Sequence, residues 1–494
     1  MDIHNYSKIM NLGYFKFCGR SIHVKTTDEK IILKIEDRIK LNADYWDFKA
    51  NAESERDYVH NMFAYPAMMV PKMQRELLST VIDSLYEDNP GLGRLSILDP
   101  FVGSGTILVE GMLKGLNVAG IDINPLAILI CKVKTTPLPL DVLNEKINEL
   151  KTKIDNLILN EQITRFDAID KWFKPYVILG LDRIKAAIRQ ESDLDYRRFF
   201  WVCFCQTVRN VSNSRTCTYK LHIKSKADIE NFNKDVIALF KEIIDDNYRN
   251  FALFINELSS KKLLSRRKGK LKYKGKVDII YGDSKKVIQR MSKKGNRQFD
   301  LLFTSPPYGD NHTTVTYGQY SVLQLRWIDI NDIGIKIDNK VVSSLSEIDR
   351  QSLGGIISKQ HAEEKCSDII YRSGTLFEQV HTIKSKDEEK IFKIVSFYKD
   401  LDWCIENISR IMKTNSYLIW IVGNRKVAYE EIRMNEILVE LSNHYNLRLI
   451  LDFKRGIYKK RMPDLNAYKG EKDNLIGTMK QEIIMIFRKH QIED

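Results

Sequence analysis

Two short stretches of the chain carry residue types that can do chemistry. Residues 97–106 read Ile-Leu-Asp-Pro-Phe-Val-Gly-Ser-Gly-Thr, which sets Asp99 at the end of an apolar run. A turn follows in which Gly103 and Gly105, without side chains, let the backbone approach a ligand closely. About 20 residues further on, Gly120-Ile121-Asp122-Ile123-Asn124-Pro125 places a second acid at the end of another apolar run, where a carboxylate accepts hydrogen bonds from ribose hydroxyls. The turn lacks both the GxGxxG spacing of dinucleotide folds and the GK[ST] of phosphate loops, and Asp99 would repel a pyrophosphate but attract an ammonium group. The pair fits a cofactor with adenosine at one end and an amino acid at the other.

The second stretch, Phe299 to Tyr308, reads Phe-Asp-Leu-Leu-Phe-Thr-Ser-Pro-Pro-Tyr. Proline cannot continue a central strand, so the strand must end in a rigid turn at Pro306-Pro307. That turn projects the Ser305 hydroxyl, the Pro306 carbonyl and the Tyr308 ring out of the sheet edge beside the cofactor. Asp283, in Tyr281-Gly282-Asp283-Ser284, follows a further apolar run and suits a ligand contact, a helix N-cap, or both.

These residues need a sheet to hold them. Strands are expected at Leu95–Leu98, Val118–Ile121, Val277–Tyr281, Leu301–Thr304, Tyr417–Val422, Leu447–Phe453 and Glu482–Arg488, with a helix at Phe397–Met412. Strand, glycine turn, helix and strand within about 30 residues form a βαβ unit, which implies a parallel, doubly wound α/β sheet. The last two strands lack an intervening helix and are expected to pair antiparallel at the edge. Between about 138 and 260 the periodicity is helical, as in Val142–Leu159 and Ile229–Leu258, and reads as an insertion. It runs into Lys261–Lys276, which holds nine Lys/Arg and no acid and reads as an exposed basic loop. Residues 330–395 read as a second, polar and irregular insertion.

The string Asp-Pro-Phe-Val-Gly-Ser-Gly-Thr, taken with Ser-Pro-Pro-Tyr, resembles the motifs of S-adenosylmethionine-dependent DNA amino-methyltransferases of the bacterial modification type. The resemblance implies a Rossmann-like class I methyltransferase fold and S-adenosylmethionine as cofactor. By it, Asp99 contacts the methionine amino group, Pro100, Phe101 and the turn Gly103, Ser104, Gly105 and Thr106 lie against the cofactor, Asp122 and Ile123 hold the ribose, and Asp283 with Ser284 contacts the adenine. The segment His60–Pro71, with Tyr65 and Pro66, is similar to the one that closes over the methionine end. Ser305, Pro306, Pro307 and Tyr308 form the catalytic motif: the serine hydroxyl and Pro306 carbonyl accept from an exocyclic amine, and the tyrosine stacks on a flipped base. Serine before Pro-Pro-Tyr is more typical of cytosine-N4 enzymes, aspartate of adenine-N6 enzymes. Gly309–Tyr320, Phe397–Lys413, Gly423-Asn424 and Lys460-Arg461-Met462-Pro463 are similar to the same family, whereas the long helical stretch departs from its commonest pattern. The division expected is an N-terminal extension (1–59), core with the cofactor motif (60–137), helical insertion and basic loop (138–276), core with the catalytic motif (277–329), second insertion (330–395) and remaining core (396–494). The two insertions are the candidates for target recognition.

Composition agrees with a nucleic-acid partner. Lys and Arg total 78 against 65 Asp and Glu, a net charge of +13 and a pI near 9.1, a field that attracts a polyanion. Within the basic loop, Arg266, Arg267, Lys268 and Lys270 are candidate phosphate contacts on double-stranded DNA. Arg209, Asn210, Asn213, Arg215 and Lys220 are candidate readers of base edges. Seven cysteines without zinc spacing suggest reduced thiols and no metal. Neither a leader pattern nor a bilayer-length apolar run is present, so a cytoplasmic protein with no membrane partner is expected. The remaining alternatives are an adenine-N6 enzyme, an RNA guanine-N2 methyltransferase and a non-catalytic DNA-binding protein on the same fold. A modification enzyme would serve restriction-modification or phage defence, with a separate restriction endonuclease or defence protein as partner.

Overall fold

The computed structural model describes residues 14–17, 20–23, 25–48, 56–159, 161–295, 297–309, 314–355, 360, 367–384, 387–457, 465–468, 471–477 and 479–491. Seven strands form the main sheet: β1 Ser96–Asp99, β2 Asn117–Asp122, β3 Val277–Tyr281, β4 Phe299–Thr304, β5 Met412–Val422, β6 Leu447–Gly456 and β7 Gln481–Lys489. Their spatial order is β6-β7-β5-β4-β1-β2-β3, with β3, β2, β1, β4 and β5 parallel. β7 runs antiparallel to both β5 and β6, the edge pairing expected from the missing helix. The expected strands therefore exist; β5 starts five residues earlier than its apolar run because exposed Lys413, Thr414 and Asn415 separate that run from the buried Met412 at which the strand begins.

The chain winds outward from β1 through β2 to β3, and from β4 to β5 on the other side. The reversal between β1 and β4 is a topological switch point, where the carboxyl ends of the strands leave a crevice for ligands. Asp99 ends β1 and Ser305 follows β4, so both motifs meet there.

Alternation along the strands builds two cores. Ile97, Leu301, Phe303, Tyr417 and Ile419 face one layer of helices, while Leu98, Leu302, Leu418 and Trp420 face the other. On the first face lie α1 Thr27–Leu41, α2 Pro71–Asp88, α3 Thr106–Leu113 and α4 Pro125–Thr135. The same core continues into α5 Leu140–Asn156, α6 Pro175–Arg189, α7 Leu194–Val211 and α8 Val236–Ser260. The helical stretch thus thickens one face of the sheet, since Phe199, Phe204, Phe240 and Phe251 share a core with Ile97 and Leu301. On the second face are α9 Ser284–Lys294, α12 Gly374–Lys384, α13 Glu388–Ile411 and α14 Met434–Asn443, while α10 Tyr317–Trp327 packs with the first.

Residues 330–395 are less irregular than expected. Among the described residues they include the short helices 339–343 and α11 Glu347–Gln351, then α12 and the start of α13. The beginning of this segment docks on α7, where Asp332 accepts two hydrogen bonds from Arg197 (2.7 Å each) and one from Trp201 Nε1 (2.7 Å).

The basic stretch folds as a hairpin. Leu264–Arg267 pairs antiparallel with Lys270–Tyr273, and Lys268 and Gly269 both take positive φ, the two-residue turn that matches strand twist. Tyr273 is buried and donates to the Leu116 carbonyl (2.8 Å), while the Val118 amide donates to the Lys276 carbonyl. These anchors fix the hairpin at the amino end of β2, five residues and about 17 Å of strand rise from Asp122.

Candidate active site

A cavity opens at the switch point. Of the residues expected from sequence, Tyr65, Phe101, Gly103, Asp122, Ile123, Asp283, Ser284, Ser305 and Pro307 line it. Pro66, Asp99, Pro100, Ser104, Gly105, Thr106, Pro306 and Tyr308 are not among the lining residues. Arg266, Arg267, Lys268 and Lys270 are not among the lining residues and sit at the opposite end of the strands, a placement that charge alone did not reveal. His312, Lys460 and Arg461 to Pro463 fall outside the described residues.

The glycine turn after β1 is held from beneath. Gly103 and Gly105 take φ of +49° and +79°, a left-handed conformation that favours glycine, and Gly105 begins α3. Asp122 accepts from the Gly103 amide (2.8 Å) through one oxygen and from the Asn124 amide (2.8 Å) through the other. α4 supplies two more ties: Cys131 Sγ to the Gly103 carbonyl (3.3 Å) and Lys134 Nζ to the Ser104 carbonyl (2.9 Å). Lys134 is buried, and burial lowers its pKa to about 8. Gly120 is required for a different reason, because a Cβ there would lie 2.6 Å from Val102 Cγ2.

Asp99 is fully buried under the turn. Its Oδ1 accepts from the Thr304 hydroxyl (2.7 Å), which bridges β4 to β1, and from the Phe101 amide (3.0 Å), whereas Oδ2 has no hydrogen-bond partner. Burial pushes its pKa up to about 7 and that of Asp122 to about 6. A buried carboxylate with an unmatched oxygen is suited to a cation. Asp283 caps α9 by accepting from the Lys285 amide (3.0 Å), and it also lines the cavity, where burial raises its pKa.

Aromatic residues roof the cavity. Tyr65 stacks on Tyr317 with ring centroids 5.8 Å apart, and its hydroxyl accepts from Asn124 Nδ2 (2.9 Å). Asn124 Nδ2 also donates to Ser321 Oγ (2.8 Å), while its Oδ1 caps α4, so one side chain joins the β2 tip, the Tyr65 segment and α10. The Tyr65 segment is tied to α3 by a buried network in which His60 Nε2 meets Glu110 (2.9 Å) and Arg75 bonds both Glu110 (2.8 Å) and Asp57 (2.7 Å). Asp57, His60 and Glu110 lie close enough to share a metal ion, but the Arg75 guanidinium already satisfies both carboxylates.

At the Ser305–Tyr308 turn, Ser305 Oγ lies 3.1 Å from Tyr308 Oη, and the tyrosine donates to Glu482 Oε1 (3.1 Å). Arg455 donates twice to the other oxygen of Glu482, at 2.9 and 2.6 Å. The Tyr308 ring occupies space that Gly423 leaves open, since a Cβ there would lie 2.9 Å from Tyr308 Cδ2. Sequence reasoning missed Asn124, Tyr317, Ile348, Ser352 and Leu353 as lining residues, and Glu482 and Arg455 as supports. Asn124 and Tyr317 stand inside stretches already singled out; the others carry no local signal.

No protein-family profile matches the chain. It is 33% identical over 476 residues to the Type II methyltransferase M.MvaI of Kocuria varians, across 95% of this chain and 99% of that one. It is 30% identical over 167 residues to the Type II methyltransferase M.MjaII of Methanocaldococcus jannaschii, across 32% of this chain and 28% of that one. Among solved structures, the rRNA methyltransferase aviRa from Streptomyces viridochromogenes aligns over 89% of this chain and 96% of that one, with a TM-score of 0.30 and 10% identity. With identity to M.MvaI running nearly the length of both proteins, and with both motifs meeting at one switch point, this chain belongs to the Type II methyltransferases, DNA methyltransferases of the restriction-modification kind.

Proposed function

We propose that the chain methylates the exocyclic amine of a base flipped out of duplex DNA, cytosine N4 in preference to adenine N6. The observation that carries this reading is that Ser305 shares one cavity with Tyr65, Asp122 and Asp283, so the amine-activating side and the cofactor side face the same space. Serine before Pro-Pro-Tyr supports the cytosine preference.

The residues present fit S-adenosylmethionine. The unmatched Asp99 Oδ2 suits an ammonium group, the Asp122 carboxylate suits ribose hydroxyls, and Phe101, Ile348 and Leu353 give apolar walls for an adenine whose amine Asp283 would accept. When bound, this cofactor supplies a methyl group on a positively charged sulfur, an electrophile that requires no covalent enzyme intermediate. The chain's part is to position and to move a proton.

Ser305 Oγ and the Pro306 carbonyl accept the amine hydrogens, which draws the nitrogen lone pair out of ring conjugation. Methylated in this way, the amine would have to lose one proton. Ser305 Oγ, Tyr308 Oη and Glu482 form a path for it, each hydroxyl receiving one proton and passing on another. Arg455 keeps the carboxylate end oriented. We infer a setting in host DNA protection, with cutting left to a separate nuclease.

The test is transfer of a tritiated methyl group to unmethylated genomic DNA. Wild-type protein labels the DNA; Ser305→Ala keeps cofactor affinity and loses at least about a hundred-fold in single-turnover rate. A wild-type rate in Ser305→Ala contradicts the role given to that hydroxyl.

A further inference from the structure

A second, shallow cleft lies between the C-terminal end of α7 with its following loop and the side of α10. Three cations, Arg209, Arg215 and Lys220, line it, and no acidic residue does. Arg209 is held in place: it donates to the Thr216 carbonyl (3.0 Å) and lies over the Tyr320 ring at 4.9 Å. Arg215 and Lys220 are exposed, and neither has an ion pair among the described residues. Gln324, in the wall, is only 2% exposed, yet its Oε1 has no hydrogen-bond partner. Burying an unsatisfied acceptor costs about 1–3 kcal/mol, which marks it as a group that awaits a donor.

The loop is ordered against α10. Its Leu221 amide donates to Gln319 Oε1 (3.1 Å), and Tyr219 meets Tyr320 edge-on at 6.3 Å. α10 also connects this cleft to the cofactor cavity. Tyr317, at its first position, lines the cavity, and Tyr65 contacts both Tyr317 (5.8 Å) and Tyr320 (6.2 Å). One layer of tyrosines therefore separates the two spaces.

We propose that this cleft binds the DNA flanking the flipped nucleotide, with Arg215 and Lys220 on backbone phosphates and the Gln324 amide on a base edge. The inference rests on the function proposed above. A duplex that delivers a base to Ser305 must pass over the neighbouring surface, and this surface combines unpaired cations with a buried amide. A side-chain amide pairs bidentately with adenine, and cations release counterions from the phosphates they neutralise.

The test uses the full chain in three forms: wild type, Arg215→Ala with Lys220→Ala, and Gln324→Met, which keeps volume and removes the acceptor. Cofactor affinity measured by calorimetry should be unchanged in all three and reports intact folding. The double variant should reduce the slope of log binding constant against log salt by about 1.8, two phosphates' worth, on every sequence. Gln324→Met should broaden the set of methylated sites at one position, by about ten-fold or more in relative rate. An unchanged salt slope together with an unchanged site set overturns the proposal while leaving DNA methylation intact. Wild-type protein that neither binds nor methylates DNA overturns both the proposal and the function beneath it.

Discussion

The proposed contact between the buried Asp99 carboxylate and the cofactor's ammonium group makes cofactor binding depend on pH in a calculable way. Its pKa of about 7 means that half of the free protein carries it ionised near neutrality. Only the ionised form attracts an ammonium group, so the apparent affinity follows the ionised fraction. From about pH 7 to about pH 5.5 that fraction falls from about one half to about 3%, a roughly fifteen-fold loss worth about 1.6 kcal/mol. This window lies below the titration of an α-amino group, near 7.7–8, so the ligand keeps its charge throughout. The fold responds in the opposite direction. A carboxyl whose pKa is higher folded than unfolded, about 7 against 3.8, favours the folded state at low pH and loses that contribution as pH rises through 7. The empty protein should therefore lose stability between about pH 4 and 7, and the thermal shift produced by S-adenosylmethionine should grow across the same range. Calorimetric titration at several pH values measures the affinity directly. Asp99→Asn should bind more weakly at neutral pH and show a much flatter profile, any residual slope reporting Asp122. A wild-type affinity that stays level from pH 7 to 5.5 refutes the reasoning.

Other perturbations read the supports of the site. Lys134→Met leaves the Ser104 carbonyl without its donor and should cost cofactor affinity about ten-fold, with little change in the salt dependence of DNA binding. Glu110→Gln breaks the buried network of His60 and Arg75 and should destabilise the fold by about 3 kcal/mol in chemical denaturation. Neutralising Arg266, Arg267, Lys268 and Lys270 together tests the hairpin as a phosphate clamp. DNA confined to the cavity end of the strands predicts an unchanged salt slope, and a slope reduced by three or four, about 0.9 per phosphate, would bring the hairpin into the interface.

The parts of the site that were legible in the sequence are the parts that are local. A strand that ends in an acid and a glycine turn, or in Ser-Pro-Pro-Tyr, states its own geometry, because proline and left-handed glycine leave few alternatives. The antiparallel edge followed from a missing helix between two apolar runs. What escaped was the pairing of distant residues: Tyr308 and Glu482 are 174 positions apart and meet only because β7 lies beside β5. Ile348 and Leu353 reach the cavity from a segment with no motif. Periodicity identified the helices of 138–258 as amphipathic, but an apolar stripe does not say what it packs against, and it packs on the sheet. In the same way, a run of lysines and arginines announces an exposed hairpin without saying at which end of the strands it lies.

The most direct test of the central claim is mass spectrometry of the nucleosides released from unmethylated genomic DNA after incubation with the protein and isotopically labelled S-adenosylmethionine. The account predicts labelled N4-methylcytosine. Labelled N6-methyladenine in its place would keep the fold and the cavity but contradict the reading of Ser305 as a marker of cytosine, and unlabelled DNA would contradict the proposed function itself.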